Sequence, residues 1–187
     1  MNAYLELIVG PMYSGKTSYL INKFKQFTFC NNNILVLNHQ IDIRYSTSKL
    51  SNHDLNMIPC KMIDKLSIIF EKNELNELYQ KAEVILINEA QFFHELEFSV
   101  LKMLNDDKKV FVAGLDSDFQ KKKFGNIIDL IPHCDKIIKL TSLCSLCKNG
   151  TKAIFSHRIS DETQQTLVGS SNYIPLCRNC YKLNNIL

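Results

Sequence analysis

The stretch LIVGPMYSGKT, Leu7–Thr17, decides the fold of this chain. Three apolar residues lead into Gly10, and Gly15, Lys16 and Thr17 complete the pattern G-x-x-x-x-G-K-[ST]. Backbone N–H groups of such a loop wrap a phosphate, and the helix that follows directs its positive dipole end at the anion. The stretch therefore predicts a strand, a polyphosphate-binding P-loop and a helix, in that order.

Two side chains of this loop are predicted to act on the phosphates directly. Lys16 is expected to reach the β and γ phosphates, and the Thr17 hydroxyl is expected to ligate Mg²⁺. The whole loop supplies the predicted phosphate-binding residues: Gly10, Pro11, Met12, Tyr13, Ser14, Gly15, Lys16 and Thr17. The alternative is a glycine turn that binds nothing, which the flanking strand and helix patterns disfavour.

Beyond the loop, apolar strands alternate with helical patterns. Predicted strands cover residues 4–10, 34–39, 83–93, 109–116 and 135–140, and predicted helices cover 16–29, 65–82, 94–106 and 125–132. This alternation indicates βαβ units and a parallel sheet, so the fold class is α/β: a P-loop, RecA-like sheet flanked by helices. Ligands of such sheets lie beyond the carboxyl ends of the strands, which puts Gly10, Asn88 and Asp116 on one rim.

Composition limits the classes of protein to consider. The 187 residues are 45% hydrophobic and 22% charged, which suits one ordinary domain with a small appendix. A net charge of +3 and scattered lysines give little support for a nucleic-acid partner. No apolar run approaches the roughly 20 residues of a membrane span, and a strand beginning near Tyr4 leaves no room for a signal peptide. We therefore expect a cytoplasmic protein without nucleic-acid or membrane partners.

An acidic residue follows the buried strand pattern EVILIN, residues 83–88. P-loop proteins usually place an aspartate at the end of such a strand to hold the magnesium shell, but this chain has Asn88 there, followed by Glu89. Two interpretations stay open. Glu89 is the general base of a phosphoryl transfer, with Asn88 a weakened magnesium-side residue, or Glu89 is a surface carboxylate without a role.

Four of the seven cysteines form two Cys-x-x-Cys pairs: Cys144, Cys147, Cys177 and Cys180. Two such pairs complete a tetrahedral Cys₄ site with no position left for water, so we expect a structural zinc ion. The alternatives are a redox dithiol and a zinc ribbon that binds nucleic acid. The other three cysteines are predicted to be buried, reduced thiols: Cys30, Cys60 and Cys134. The change of pattern predicts a nucleotide-binding domain over 1–140 and a zinc-binding domain over 141–187.

Five segments, in this order and spacing, resemble the type II thymidine kinases, a family of cytosolic cellular enzymes and their viral relatives: GPMYSGKT, DIRYSTS, NEAQFF, LDSDFQKKKFG and the two cysteine pairs. The resemblance covers Leu5 to Tyr181. It implies transfer of the γ-phosphate of ATP to the 5′-hydroxyl of thymidine with Mg²⁺, giving thymidine monophosphate in nucleotide salvage. It also implies a homotetramer and feedback inhibition by thymidine triphosphate.

The resemblance carries roles onto particular residues of this chain. Glu89 matches the catalytic base, and Asn88 and Gln91 match residues at the ATP site. The insert between the cysteine pairs matches a lasso loop that covers the nucleoside. The nucleoside-binding positions it implies are Phe92, Phe119, Gln165, Thr166, Leu167, Val168, Gly169 and Tyr173. For Phe92, Phe119 and Tyr173, plain packing is the alternative.

One departure from the family pattern affects the expected chemistry. The family reads DEGQ or DEAQ where this chain reads NEAQ, so Asn88 lacks the charge of the family aspartate. We expect weaker magnesium dependence or a slower enzyme, because a charged hydrogen bond is worth about 1.5–3 kcal/mol against about 1 for a neutral one. The alternative functions are a deoxynucleoside kinase of shifted preference and a P-loop ATPase or nucleotide-binding protein with impaired phosphoryl transfer.

Overall fold

A computed structural model describes residues 2–42, 49–52, 54–167, 169 and 172–184. Its strands are β1 (Tyr4–Val9), β2 (Ile34–His39), β3 (Lys49–Ser51), β4 (Met57–Pro59), β5 (Lys61–Ile63), β6 (Val84–Asn88), β7 (Lys109–Gly114), β8 (Lys136–Lys139), β9 (Ser142–Leu143), β10 (Lys152–Ala153), β11 (Phe155–Arg158) and β12 (Tyr173–Leu176). Its α-helices are α1 (Lys16–Phe29), α2 (Glu74–Lys81), α3 (Leu96–Asn105) and α4 (Arg178–Asn184), and its 3₁₀ segments are Leu66–Phe70, Ala90–Phe92 and Ile127–His133.

Six parallel strands form the central sheet, in the order β5-β2-β6-β7-β1-β8. Successive side chains of a strand point to opposite faces, and both faces of this sheet are covered. Leu5 and Leu7 pack in a core that includes α3, whereas Ile8 packs with Leu20 and Ile21 of α1 on the other face. The two-sided burial explains the continuous apolar strands and confirms the predicted α/β fold.

Glu6 is a buried carboxylate within β1, on the face covered by α1. Its side chain is 1% exposed and accepts hydrogen bonds from the hydroxyls of Tyr19, at 2.5 Å, and Tyr4, at 2.9 Å. The Lys23 ammonium lies 3.5 Å away. Burial opposes ionisation, but these hydrogen bonds and nearby ammonium groups hold the Glu6 pKa below its usual range. The charge is therefore satisfied inside the fold.

Several predicted elements differ from the structure at their ends. The helix predicted over 65–82 is two pieces, because Asn73 caps the start of α2 by accepting from the Asn76 backbone N–H at 3.0 Å. The strand predicted over 83–93 ends at Asn88, since Glu89 turns the chain with a φ of 52°. Residues 40–56, where the sequence predicts no strand or helix, include β3, which pairs with β4 in a hairpin.

The three isolated cysteines correct one prediction. Cys30 is exposed rather than buried, and Cys60 and Cys134 are partly buried. Cys30 directly follows α1, whose last residue Phe29 is 89% exposed, so this end of the helix is open to solvent. None of the seven cysteines is part of a disulfide.

From Ser142 onward the chain forms what we call the C-terminal module. Two antiparallel pairs, β9–β10 and β11–β12, pack with α4 around a small core. The change from parallel sheet to short ribbons falls between β8 and β9, close to the boundary expected at residue 141, while the division into two domains stays a prediction. Within the described ranges, no helix is both long enough and apolar enough to cross a membrane.

Candidate active site

A cleft opens beyond the carboxyl ends of the strands, between the P-loop and the C-terminal module. Most of the predicted site residues line it: Met12, Tyr13, Ser14, Gly15, Lys16, Thr17, Glu89, Gln91, Phe92, Phe119, Gln165, Thr166, Leu167, Gly169 and Tyr173. Gly10, Pro11 and Asn88 are not among the lining residues, and Asn88 is only 2% exposed. Val168 lies outside the described residues. Asp116, expected on the same rim, forms an ion pair with Lys139.

The P-loop joins β1 to α1 as its sequence pattern predicts. The Lys16 ammonium donates to the carbonyl oxygens of Pro11, at 2.7 Å, and Gly10, at 3.0 Å. These bonds hold the cation over the loop, at the amino end of α1. A cation and the first N–H groups of a helix together favour a bound anion.

A chain of side-chain hydrogen bonds leads away from Thr17 behind the cleft. The Thr17 hydroxyl donates to Asn88 Oδ1 at 3.4 Å, and Asn88 Nδ2 donates to Asn38 Oδ1 at 2.9 Å. Asn38 Nδ2 then donates to the Asp42 carboxylate at 3.3 Å. Every donor points toward Asp42, so the Thr17 hydroxyl gives its proton to the chain and keeps oxygen lone pairs to ligate a cation.

Glu89 is held in an uncommon backbone conformation at the cleft. Its φ of 52° lies in the left-handed region, which is strained for a residue with a side chain. Gln91 is 4% exposed and donates from Nε2 to Glu89 Oε2 at 2.6 Å, while its Oε1 accepts from the Leu115 N–H at 2.9 Å. Gln91 thus ties the Glu89 carboxylate to the chain after β7.

This arrangement needs a glycine at position 125. Gly125 has a φ of 61°, and a Cβ there would lie 2.1 Å from the backbone oxygen of Gln91. The glycine of the FQKKKFG segment is therefore explained by close packing, because the chain at this position lies directly against Gln91, which holds Glu89.

Aromatic side chains line the cleft beyond Glu89. The rings of Phe92 and Phe124 meet edge to face, with centroids 5.5 Å apart. His39 lies behind them, 5.5 Å from Phe92 and 4.8 Å from Phe93 between ring centroids. Burial lowers the pKa of His39, partly offset by Asp64 and Glu89, so its neutral form is favoured. Flat aromatic surfaces of this kind suit a planar ligand.

The C-terminal module forms the opposite wall and touches the P-loop half at several points. Gln165 Nε2 donates to the buried Asp118 carboxylate at 2.8 Å. The Met12 N–H of the P-loop donates to Ser156 Oγ at 2.9 Å. Within the module itself, the Tyr173 hydroxyl donates to the Leu167 carbonyl oxygen at 3.2 Å.

Sequence reasoning missed several polar residues that line this cleft or lie directly behind it. Asn52 links the β3–β4 hairpin to α1 by donating to Ser18 Oγ at 2.9 Å, and Asp118, Ser156 and Arg158 connect the two walls. The sequence offers a weak signal for two of these residues. Ser156 and Arg158 are two positions apart in FSHR, so they would share a face if that segment were recognised as a strand.

The four cysteines of the two pairs come together as expected. Their sulfur atoms all lie within 4.8 Å of one another, with Cys147 Sγ 3.4 Å from Cys180 Sγ and 3.7 Å from Cys177 Sγ. Tetrahedral ligands at a Zn–S distance of about 2.3 Å stand roughly 3.8 Å apart, so the cluster fits zinc. Burial opposes ionisation of Cys144, but backbone N–H groups lower its pKa to about 6, whereas hydrogen bonds with Cys147 and Cys177 raise the pKa of Cys180 to about 12. The thiolate that a metal needs therefore forms most readily at Cys144.

Comparison with known proteins agrees with these features. A family model described as thymidine kinase matches residues 3–181. A thymidine kinase of Choristoneura fumiferana entomopoxvirus is 38% identical over 98% of each chain. Thymidine kinase a of Arabidopsis thaliana is 37% identical over 98% of this chain and 76% of its own length, and a thymidine kinase of Oryza sativa is 38% identical over 95% and 65%. This chain therefore belongs to the thymidine kinase family.

Proposed function

We propose that this chain transfers the γ-phosphate of ATP to the 5′-hydroxyl of thymidine, with Glu89 as the general base. Membership of the thymidine kinase family supports the reaction. The position of Glu89 is the observation that supports its role, because its carboxylate lines the cleft between the P-loop and the aromatic side chains. A base there orients the hydroxyl and accepts its proton as the phosphoryl group leaves ATP.

At the phosphate end, we assign the P-loop from Gly10 to Thr17 to the ATP phosphates. Mg²⁺ that arrives with ATP neutralises phosphate charge, and we assign Thr17 and Asn88 to its surroundings. Gln91 was expected at the ATP site, but both ends of its amide bind protein groups. We therefore propose that Gln91 acts by holding the Glu89 carboxylate in place.

At the nucleoside end, we assign the thymine base to the aromatic side of the cleft. Phe92 and Phe119 supply flat surfaces on which a pyrimidine can stack. The described residues of the facing segment also line the cleft, and their backbone groups would bind the polar edge of the base: Gln165, Thr166, Leu167 and Gly169. Tyr173 supports that segment through the Leu167 carbonyl.

The Cys₄ cluster is proposed to hold a structural zinc ion. All four ligands come from the protein, which leaves no open coordination position for chemistry. A cytoplasmic location, a homotetramer and feedback inhibition by thymidine triphosphate are further proposals that rest on the family alone.

The test compares Glu89→Gln with the unaltered chain, using purified protein, ATP, Mg²⁺ and thymidine. We expect kcat to fall by about 10²–10⁴, the usual contribution of a general base, while ATP binding persists. Glu97→Gln is the matched control, since Glu97 is exposed, is not among the cleft-lining residues, and has its carboxylate 3.6 Å from His133 Nε2. Full turnover by the Glu89→Gln variant would show that Glu89 is not the general base. If the unaltered chain binds ATP but phosphorylates no deoxynucleoside, a nucleotide-binding role replaces the kinase.

A further inference from the structure

We propose that Arg158 is a positioning residue for the nucleoside half of the cleft, an inference that rests on the thymidine kinase function proposed above. Arg158 is not among the residues that line the cleft. It acts through three that do: Phe119, Gln165 and Tyr173. Its role is to fix the segment that faces the base and the aromatic ring on which the base stacks.

The first step is the set of hydrogen bonds that Arg158 makes with one short segment. Its Nη1 donates to the carbonyl oxygens of Gln164, at 2.6 Å, and Glu162, at 2.8 Å, and its Nη2 donates to that of Gln165 at 3.2 Å. Its Nε donates to the Tyr173 hydroxyl at 3.2 Å. One guanidinium thus sets the curvature of the chain just before the predicted base-binding residues.

The second step is the contact with the aromatic wall. The Arg158 guanidinium carbon lies 3.8 Å from the centroid of the Phe119 ring. From the other side, the Tyr181 hydroxyl donates to the Phe119 carbonyl oxygen at 2.6 Å. The Phe119 ring is therefore fixed by Arg158 and its backbone by α4, so the stacking surface has little freedom to tilt.

The third step is the alternation of β11, which anchors Arg158 itself. Ser156 and Arg158 are buried toward the P-loop and the substrate segment, 4% and 5% exposed. Phe155 and His157 point the other way and pack on the Tyr181 ring, with centroids 4.8 Å and 5.9 Å away. The strand thus presents the guanidinium on the side opposite Phe155 and His157, toward the substrate segment.

Because the side chain at position 158 is buried, arginine is favoured there over lysine. Removing a cation from water is costly unless its donors are satisfied, and here carbonyl oxygens, a hydroxyl and an aromatic face satisfy them. Arginine presents five donors in a planar fork that can also stack, whereas lysine presents a compact ammonium that cannot do both. Replacing Arg158 with lysine should keep the charge and lose the geometry.

The experiment measures thymidine and ATP kinetics for Arg158→Lys. We expect KM for thymidine to rise about tenfold or more, which is the scale of one lost charged hydrogen bond. KM for ATP should stay within about twofold of its original value, because the P-loop does not depend on Arg158 for its conformation. The control is Arg178→Lys. Arg178 is exposed in the same module, 5.4 Å from the Phe155 ring centroid, and both KM values should stay unchanged.

Further readouts separate positioning from a general role in folding. Zinc content and ATP affinity should match those of the unaltered chain, and Tyr173→Phe, which keeps the ring and loses the hydroxyl, should shift KM for thymidine in the same direction. An unchanged KM for thymidine in Arg158→Lys overturns the proposal. So does a variant that binds no ATP, because the arginine then supports the whole fold. If the unaltered chain phosphorylates no thymidine, the proposed function fails, and thymidine affinity measured by calorimetry decides the role of Arg158.

Discussion

The parallel sheet and the C-terminal module both line the cleft, but different forces hold them together. The sheet buries continuous apolar strands on both faces, with Leu5, Leu7 and Ile8 fully inaccessible to solvent. The module has only a small apolar core, in which four cysteines cluster, and a buried arginine that donates to backbone oxygens. Hydrophobic burial thus stabilises the side of the cleft that is predicted to bind phosphates, whereas specific polar contacts stabilise the side that is predicted to bind the base.

This difference implies that the parallel sheet and the C-terminal module can lose their structure independently of each other. A small apolar core cannot offset the conformational entropy of ordering its loops, so such modules rely on a metal or crosslink. The sheet does not need that support, because two apolar layers cover it.

The largest expected effect comes from removing the zinc ion proposed for the Cys₄ cluster. In Cys177→Ser, or after zinc extraction, thymidine turnover should fall by about a hundredfold or more, because a structural zinc site supplies of order 10 kcal/mol to the folding of a small module. ATP affinity should change little, since the P-loop belongs to the sheet. Parallel titrations of ATP binding and thymidine turnover against zinc content check this.

Cys30→Ser is the control for that experiment, because the Cys30 thiol is exposed at the end of α1. It should keep full turnover and the same zinc content. Equal loss of ATP binding and turnover in Cys177→Ser would show that the two walls fold as one unit.

The next largest effect is a difference in the free energy of unfolding between substitutions at two glycines, one in each region. Gly125→Ala should lower the free energy of unfolding by about 3 kcal/mol, because the new Cβ meets the Gln91 backbone in addition to the strain of a positive φ. Gly150→Ala, at a φ of 88° with open space around the Cβ, should lose about 1 kcal/mol from backbone strain alone. Urea unfolding of both variants measures the difference.

Gly125→Ala should also lower kcat, since the clash displaces the residue that holds Glu89. A variant with normal kcat and reduced stability would mean that the position of Gln91 does not matter for the proposed base.

A smaller effect concerns the polar chain behind Thr17. Asn88→Asp should lower the Mg²⁺ concentration needed for half-maximal turnover by about tenfold, because a charged acceptor replaces a neutral one. It should also lower the free energy of unfolding by about 1–2 kcal/mol, since the donor to Asn38 is lost and two acceptors face each other.

The double variant Asp42→Asn with Asn88→Asp tests that explanation. A rotated Asn38 amide can then donate to the new carboxylate at position 88 and accept from the new amide at position 42, which reverses the direction of the chain. Stability should recover while the gain in magnesium affinity stays. A double variant less stable than both single variants would exclude the reversal.

The same contrast explains what the sequence could predict. Apolar periodicity identifies the sheet strands, and the glycine-lysine pattern identifies the P-loop, because both depend on residues close together in the chain. Arg158 could not be found that way, since its partner Phe119 lies 39 positions earlier and its other partners are backbone oxygens that any sequence supplies. The break at Asn73 could have been found, as Asn-Glu-Leu-Asn carries a helix-start signal within one long helical pattern.

The smallest expected effect is a pH dependence shared by the two regions. Burial lowers the pKa of His39 beside the sheet and of His157 on β11. An unfolded histidine has the ordinary value of 6.5, so below that pH the unfolded chain binds more protons than the folded one. The contribution of these two histidines to the free energy of unfolding should therefore be level above about pH 7 and decline as the pH falls through 6.5. Urea unfolding from pH 5.5 to 8, with zinc content followed at each pH, measures the profile.

Substituting each histidine assigns the decline to a region. His39→Gln should flatten the part of the profile that belongs to the sheet, and His157→Gln the part that belongs to the C-terminal module. If the two regions unfold separately, as the contrast between their cores implies, each substitution should change only its own transition. If both substitutions flatten a single transition, the module and the sheet unfold together, and the Met12–Ser156 and Gln165–Asp118 bonds across the cleft couple them more strongly than their separate cores suggest.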